Sequence, residues 1–250
     1  MGGMTLFVWG GVLAQALAAA MPSQSASNRR TWPTGEKTIY IARHGQTGTN
    51  RANLFIAQQL HPDAILTEHG SEQADSLATL LEKSGVERIY ISRMVRSQQT
   101  AGPVAKRLRL DPFVRSQLDE MDFGTLEGKY LKDPEVAEAL EATDQDCSYR
   151  PGGSETRSEV NERVNTLLEE IFRYSDPKTV LVIGHYGTVR EMLALLLNLS
   201  CEDSGQIVPK NDSVYRVKLK NGKLSHVALS QGRTPFKSVG ISDLIAAGGR

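Results

Sequence analysis

Two short apolar runs in this chain each end on a histidine with a glycine close behind, and that repetition constrains the fold more than any other feature. Thr38-Ile39-Tyr40-Ile41-Ala42 leads into Arg43-His44-Gly45, and Thr179-Val180-Leu181-Val182-Ile183-Gly184 leads into His185-Tyr186-Gly187. Runs of β-branched and aromatic residues of this length read as buried strands. In an open α/β sheet ligands bind at the carboxyl ends of strands, where glycine admits close backbone approach and a helix start exposes N–H groups to anions. Either histidine alone would most often be structural. Two in equivalent positions, with Arg43 beside one and Arg96 just past a third run at Glu87 to Ser92, mark a candidate anion site.

The remaining pattern supports such a sheet. Ala74, Leu77, Ala78 and Leu81 recur at helical spacing behind Thr67, a plausible cap, and Val95 to Leu108 reads as a second helix. Pro112 to Val114 is a third strand candidate. Asp119 to Gly153 is rich in glycine, proline and acids and reads as a loop-rich excursion with one helical stretch, Pro134 to Ala142. Val160, Val164, Leu167, Leu168 and Ile171 form the buried stripe of a long helix from about Ser158 to Tyr174, and Val189 to Leu197 is helical again. Val214 to Leu219, Asn221-Gly222 and Leu224 to Leu229 form a hairpin with a preferred tight-turn dipeptide. The expected class is therefore α/β, a mostly parallel sheet with helices on both faces and an antiparallel edge hairpin.

Charge and composition narrow the function classes. The chain has 29 lysines and arginines against 29 aspartates and glutamates, so it has no global bias toward nucleic acid or acidic membranes, and any anion site must be built locally. Two cysteines, Cys147 and Cys201, are too few for a disulfide scaffold and lack zinc-site spacing; whether they pair depends on compartment and separation. Met1 to Ala20 carries no charged side chain, and its apolar run with Ala14-Gln15-Ala16 and Ala18-Ala19-Ala20 fits a cleaved secretory signal, although no basic residue precedes it and four glycines weaken it. The expected organisation is a leader over residues 1–36, signal plus disordered segment, a domain over 37–230 and a mobile tail over 231–250 with a weak helix at Ser242 to Ala247. Secretion or a periplasmic location follows if the signal is real, a cytoplasmic one otherwise. Nothing later is apolar enough for stable membrane insertion.

Two arginines and two histidines suit a phosphomonoester, which carries close to two negative charges and takes fork-like donors on its oxygens, while a neutral imidazole is a competent nucleophile toward phosphorus. The chain also resembles the histidine phosphatase superfamily, the phosphoglycerate mutase-like family. The likeness starts at Arg43-His44-Gly45-Gln46-Thr47 with Asn50, and continues through Leu66-Thr67-x-x-Gly70 with Gln73-Ala74 and through Ser92-x-x-x-Arg96-x-x-Gln99-Thr100-Ala101. It ends with Leu118-x-Glu120-x-x-x-Gly124-x-Leu126-x-Gly128 and Gly184-His185-x-Gly187 with Arg190. Single fragments are weak evidence; an ordered series across most of the chain is strong.

The resemblance implies a role for each matching residue. His44 would attack phosphorus and become a phosphohistidine. Arg43, Arg96 and His185 would hold the phosphoryl oxygens. Glu120 would protonate the leaving group and then activate water. Asn50, Thr47 and Gly45 would contact the substrate, a small-molecule phosphate ester, with no metal and no cofactor. A backbone carbonyl is expected to hold His44 in its productive tautomer. Taken alone, Arg43 and Arg96 would be ion-pair residues, and Asp119 and Asp122 compete with Glu120 for the acid's role. Arg51 and Arg93 read as solvated or salt-bridged, and His61, His69 and His226 as non-catalytic. The chain departs from the family at Leu54 to Leu60, which lacks the usual glycine, and at Pro151-Gly152-Gly153-Ser154-Glu155, whose last two residues are transposed.

The span from Glu120 to His185 is short beside that of the glycolytic mutases in this family, and Lys129, Lys132 and Arg150 are scattered among acids rather than clustered. Hydrolysis is therefore favoured over mutase-type phosphoryl transfer, with a phosphoanion-binding protein without turnover as the other alternative. The substrate's identity and the oligomeric state are not written in the sequence.

Overall fold

The computed structural model of the chain describes residues 32–58, 61–173 and 175–246; the expected signal segment lies outside them. Seven strands form one sheet: β1 (Glu36–Arg43), β2 (Arg88–Ile91), β3 (Phe113–Val114), β4 (Thr179–Gly184), β5 (Ser213–Lys220), β6 (Lys223–Gln231) and β7 (Lys237–Ser238), in the order β3-β2-β4-β1-β5-β6-β7. The first four in that order are parallel, and β5, β6 and β7 add antiparallel neighbours. The register between β1 and β4 sets Ala42 opposite Ile183 and Arg43 opposite Gly184. His44 and His185 therefore leave adjacent parallel strands at the same level.

Both faces of the sheet are covered, as the near-continuous apolar runs of β1 and β4 require. On one face α2 (Glu68–Leu81) and α3 (Val95–Leu108) bury Leu77, Ala78, Leu81, Ala101 and Val104 against Tyr40, Ala42, Ile89, Leu181 and Ile183. On the other, α5 (Arg157–Phe172) and α6 (Tyr186–Leu197) pack against Ile39, Ile41, Val180 and Val182. Thr156 and Glu159 close a reciprocal cap at the start of α5, which begins one residue earlier than the sequence indicates. The hairpin turn forms at Asn221 and Gly222, both at positive φ, the geometry that makes this dipeptide favoured.

Short elements escaped the sequence reading: α1 (Gly48–Ala52), α7 (Cys201–Gly205) and β7, none long enough to show a period. α4 (Pro134–Gln145) runs three residues beyond its expected end. Two boundaries are corrected. Trp32, assigned to the leader, is buried, stacks on Phe172 with ring centroids 4.6 Å apart and donates its N–H to Gly222 O. The segment over 231–250 is not a mobile tail where it is described: β7 pairs with β6, Phe236 meets the Tyr40 ring, and α8 (Ile241–Ala246) buries Leu244.

The excursion is fastened to the domain from below. Cys147 and Cys201 are disulfide-bonded with Cα atoms 5.9 Å apart, joining the segment after α4 to the start of α7. Beside this bond the fully buried Arg157 pairs with Glu191 of α6 at 2.8 Å and donates to the carbonyls of Thr143, Asp144 and Cys201. A buried guanidinium persists only when its donors are met in this way. Arg190 is also buried and pairs with Asp144, so this member of the matched series serves the fold.

Candidate active site

His44 follows β1 directly and is almost wholly buried. Its Nδ1 lies 2.8 Å from the carbonyl of Gly45, the backbone acceptor that the sequence reading called for. A carbonyl can only accept, so Nδ1 carries the proton and Nε2 keeps its lone pair. The His185 ring lies beside it, centroids 5.0 Å apart. Burial, and then the nearby charges of Arg96 and Arg43, hold both histidines well below the usual imidazole value of 6.5. Each is therefore a neutral ring at neutral pH.

This arrangement fixes a sign for pH dependence. Below about 6.5 the unfolded chain protonates these histidines and the folded one does not, so stability falls as pH drops, by about 1.4 kcal/mol per pH unit for each ring while the difference lasts. Activity that needs a neutral His44 should persist through this window instead of titrating away at 6.5. The check is to follow kcat/KM and the unfolding midpoint in urea between pH 7 and pH 5; a rate that halves at the ordinary imidazole pKa would contradict the assignment.

His185 begins α6. Arg96 Nε donates to its Nδ1 at 3.2 Å, which leaves Nε2 as the protonated nitrogen, 2.7 Å from Ser92 Oγ. Both ring nitrogens are thus engaged, and the ring is held between Arg96 and Ser92. Arg96 is buried at the start of α3, and its Nη2 donates to Ala57 O at 2.7 Å. Arg43 is half-buried, lies over the Tyr186 ring and donates Nη1 to Pro209 O, while its Nε is buried without a hydrogen-bond partner. An unmet guanidinium N–H in such a place costs about 1 to 3 kcal/mol, which an anionic oxygen would recover.

The three neighbouring acids differ in their partners. Asp119 takes Arg93 N at 2.9 Å and Arg93 Nε at 2.6 Å. Asp122 accepts Gly124 N in a local turn. Glu120, 8% exposed, has Oε1 fixed by the N–H groups of Met121 and Gly187, each at 2.9 Å. The acceptor positions of Oε1 are thereby filled, so Oε2 is the oxygen left to exchange a proton. A Cβ on Gly187 would stand 2.7 Å from that Oε1, which explains the glycine two places after the second histidine. Gly187→Ala should push the carboxyl group off its two donors and lower kcat about 10-fold to 100-fold with little change in KM. A kinetic split between the two constants checks it; an unchanged kcat would show that the carboxylate position is not critical.

Two expected substrate contacts already have partners within the protein. Thr47 is wholly buried and its Oγ caps α1 by accepting Asn50 N at 3.1 Å, with the Thr49 hydroxyl at 2.9 Å. Gly45 spends its N–H on Thr100 Oγ1 and its carbonyl on His44, and a Cβ there would meet Gly70 O at 2.5 Å. Both shape the loop that carries the nucleophile. Asn50 remains a candidate contact: Oδ1 accepts Thr47 N and Asn211 Nδ2, which commits the oxygen and turns the amide nitrogen the other way. The other motif residues hold this loop in place. Thr67 caps α2 and donates its N–H to Gln46 O, and Gln73 Oε1 accepts Gln46 N.

Two site contacts carry no role in the matched motifs: the Ser92 hydroxyl against His185 Nε2, and Asn211, which donates to His44 O at 2.8 Å. Of the two transposed residues, Glu155 is structural: it pairs with Arg163 and accepts Asp122 N.

A parallel-sheet α/β domain with two neutral histidines and two arginines at its strand ends is the architecture of a phosphoryl-handling enzyme. The family model described as histidine phosphatase superfamily (branch 1) matches residues 39–231, and the chain belongs to that family. It is an enzyme of the phosphoric monoester hydrolase class. It is 26% identical over 202 residues to the adenosylcobalamin/alpha-ribazole phosphatase of Salmonella typhimurium, covering 80% of this chain and 94% of that protein. It is 31% identical over 139 residues to the fructose-2,6-bisphosphatase TIGAR of Xenopus tropicalis, covering 54% of this chain and 50% of that one. Among solved structures, mycobacterial glucosyl-3-phosphoglycerate phosphatase in complex with VO3 superposes with a TM-score of 0.67 at 25% identity, covering 79% of this chain and 99% of the other.

Proposed function

We propose that the protein hydrolyses a small phosphorylated metabolite through a phosphohistidine on His44, without a metal. The observation that carries this reading is the His44 ring itself, neutral, with its proton committed to Gly45 O and its Nε2 lone pair free beside two guanidinium groups. Nε2 attacks phosphorus, the bond from phosphorus to the ester oxygen breaks, and Glu120 Oε2 gives its proton to that oxygen. Water then loses a proton to Glu120, its oxygen bonds to phosphorus, and the phosphorus–nitrogen bond breaks to release inorganic phosphate and His44. Arg43 and Arg96 neutralise the charge that builds on the equatorial oxygens, and the burial that excludes water strengthens them. The named relatives, which include phosphatases of alpha-ribazole and of glucosyl-3-phosphoglycerate, support a small phosphate ester as substrate.

Hydrolysis is favoured over transfer to a second hydroxyl because two of the excursion's three cations are paired with acids, and the third, Lys132, lies over the Tyr130 ring. Lys129 pairs with Glu135 at 2.7 Å, and Arg150 pairs with Glu159 at 2.7 Å. A bisphosphorylated intermediate would need such groups free. An oxidising compartment, secreted or periplasmic, belongs to the same proposal, and the Cys147–Cys201 bond supports it. The test is phosphate release from aryl, sugar and glycerate phosphates with metals chelated. Release that survives chelation is expected; release that requires added metal would overturn the mechanism.

A further inference from the structure

We propose that Glu127 is a positioning residue for this hydrolysis, acting on Arg96 and Glu120 together through the two-residue strap Ala57-Gln58. The proposal rests on the functional reading above. Glu127 lies just past a 3₁₀ turn, 8% exposed, in the excursion that carries Glu120. Its Oε2 accepts Ala57 N at 3.1 Å, and Gln58 N lies 3.1 Å from Oε1 and 3.0 Å from Oε2. The strap belongs to no helix or strand, so these N–H groups have no ladder to join, and a carboxylate meets both with charge-assisted bonds. The segment's N-terminal flank is pinned separately: Phe55 N donates to Lys129 O, Gly128 N donates to Phe55 O, and the Phe55 and Phe123 rings meet edge to face.

What the strap does with its other groups makes the arrangement functional. Ala57 O accepts Arg96 Nη2 at 2.7 Å, and Gln58 Nε2 donates to Glu120 O at 2.7 Å. Among the described residues, Arg96's other side-chain bond is from Nε to His185, a single bond about which its planar fork could rock. The second bond, on Nη2, fixes the fork's plane and so the direction of its remaining donors. Glu120's carboxyl group is held by Met121 N and Gly187 N, and the Gln58 bond fixes the backbone from which it hangs. One carboxylate thus sets two reacting groups in register, a phosphoryl clamp and a proton donor, from opposite ends of a two-residue lever.

Glu127→Gln keeps the size of the side chain but aims an N–H₂ group at a strap N–H. With an alkyl phosphate, kcat/KM is expected to fall about 100-fold, the usual penalty for a misplacement near 1 Å. Arg96's share shows as inhibition by inorganic phosphate weakened about tenfold, Glu120's share as a smaller loss on an aryl phosphate whose leaving group needs little protonation. Gln58→Ala cuts only the second arm and should give the leaving-group split with phosphate inhibition unchanged. A structural role alone would lower all rates by one factor through the folded fraction, so equal losses on both esters with unaltered phosphate inhibition would overturn the proposal. Amide exchange at Ala57 and Gln58, which needs no turnover, should be at least about tenfold faster in Glu127→Gln. Exchange at the wild-type rate overturns the strap, whereas a wild-type protein that releases no phosphate from any ester overturns the functional reading instead.

Discussion

His44→Ala is expected to reduce phosphate release by about 10⁵-fold or more, the scale of losing a covalent nucleophile. No neighbour can substitute: His185 has Nδ1 against Arg96 and Nε2 against Ser92, and Arg43 and Arg96 are donors without lone pairs. The fold should survive. Burying two imidazoles disfavours their charged forms, so removing one relieves as well as costs, and the ring's one side-chain hydrogen bond is to a neighbouring carbonyl. The variant should therefore retain its cooperative unfolding and still bind inorganic phosphate through Arg43 and Arg96. A turnover mixture quenched in alkaline detergent, where a phosphorus–nitrogen bond survives, should show a phosphorylated wild-type chain and none in the variant. A variant that keeps most of its rate would remove the phosphohistidine from the mechanism.

Glu120→Gln should separate leaving groups. Glutamine can keep the oxygen that accepts Met121 N and Gly187 N, so geometry is conserved while the exchangeable proton is lost. For alkyl esters, whose alkoxide must be protonated as it departs, a loss of about 10²-fold to 10⁴-fold is expected. For nitrophenyl phosphate the first step should be nearly untouched, leaving the slower water attack to limit the rate and a burst of phenol to appear. Equal losses on both esters would point to another acid, and neither adjacent aspartate is an easy candidate: Asp119 is held by Arg93 and Asp122 by Gly124 N.

Most of the architecture was legible because its signals are periodic. The run over Thr179 to Gly184 matches its strand residue for residue, and the stripe from Val160 to Ile171 is the buried face of α5. His44, Arg43, Arg96, Glu120 and His185 do converge, since the parallel register of β1 with β4 aligns what the sequence shows only as two similar junctions. What stayed illegible was the direction of hydrogen bonds. Thr47 and Gly45 sit inside the motif and read as ligand contacts, yet their polar groups are consumed by Asn50, Thr49, Thr100 and His44. Glu127 fell at an unassigned place in a matched motif, and its partners lie about 70 residues earlier, a contact that no local spacing encodes. Its one available signal was an acid among apolar and glycine neighbours in a segment otherwise bound for the interior.

The family match ends at Gln231, but the folded body does not. Beyond that residue, β7 occupies the outer edge of β6 at Ala228 and Leu229, Phe236 sits between the Tyr40 ring and the Arg216 guanidinium, and Leu244 closes over the core with Val239 and Ile241 packed nearby. A chain shortened to the matched boundary would keep every group named in the chemistry and still gain an open strand edge flanked by bared apolar side chains. Such an edge templates pairing with other molecules. The last strand and helix thus guard colloidal behaviour: their loss would show as turbidity and sedimenting material before any change in the catalysis of the molecules that remain in solution.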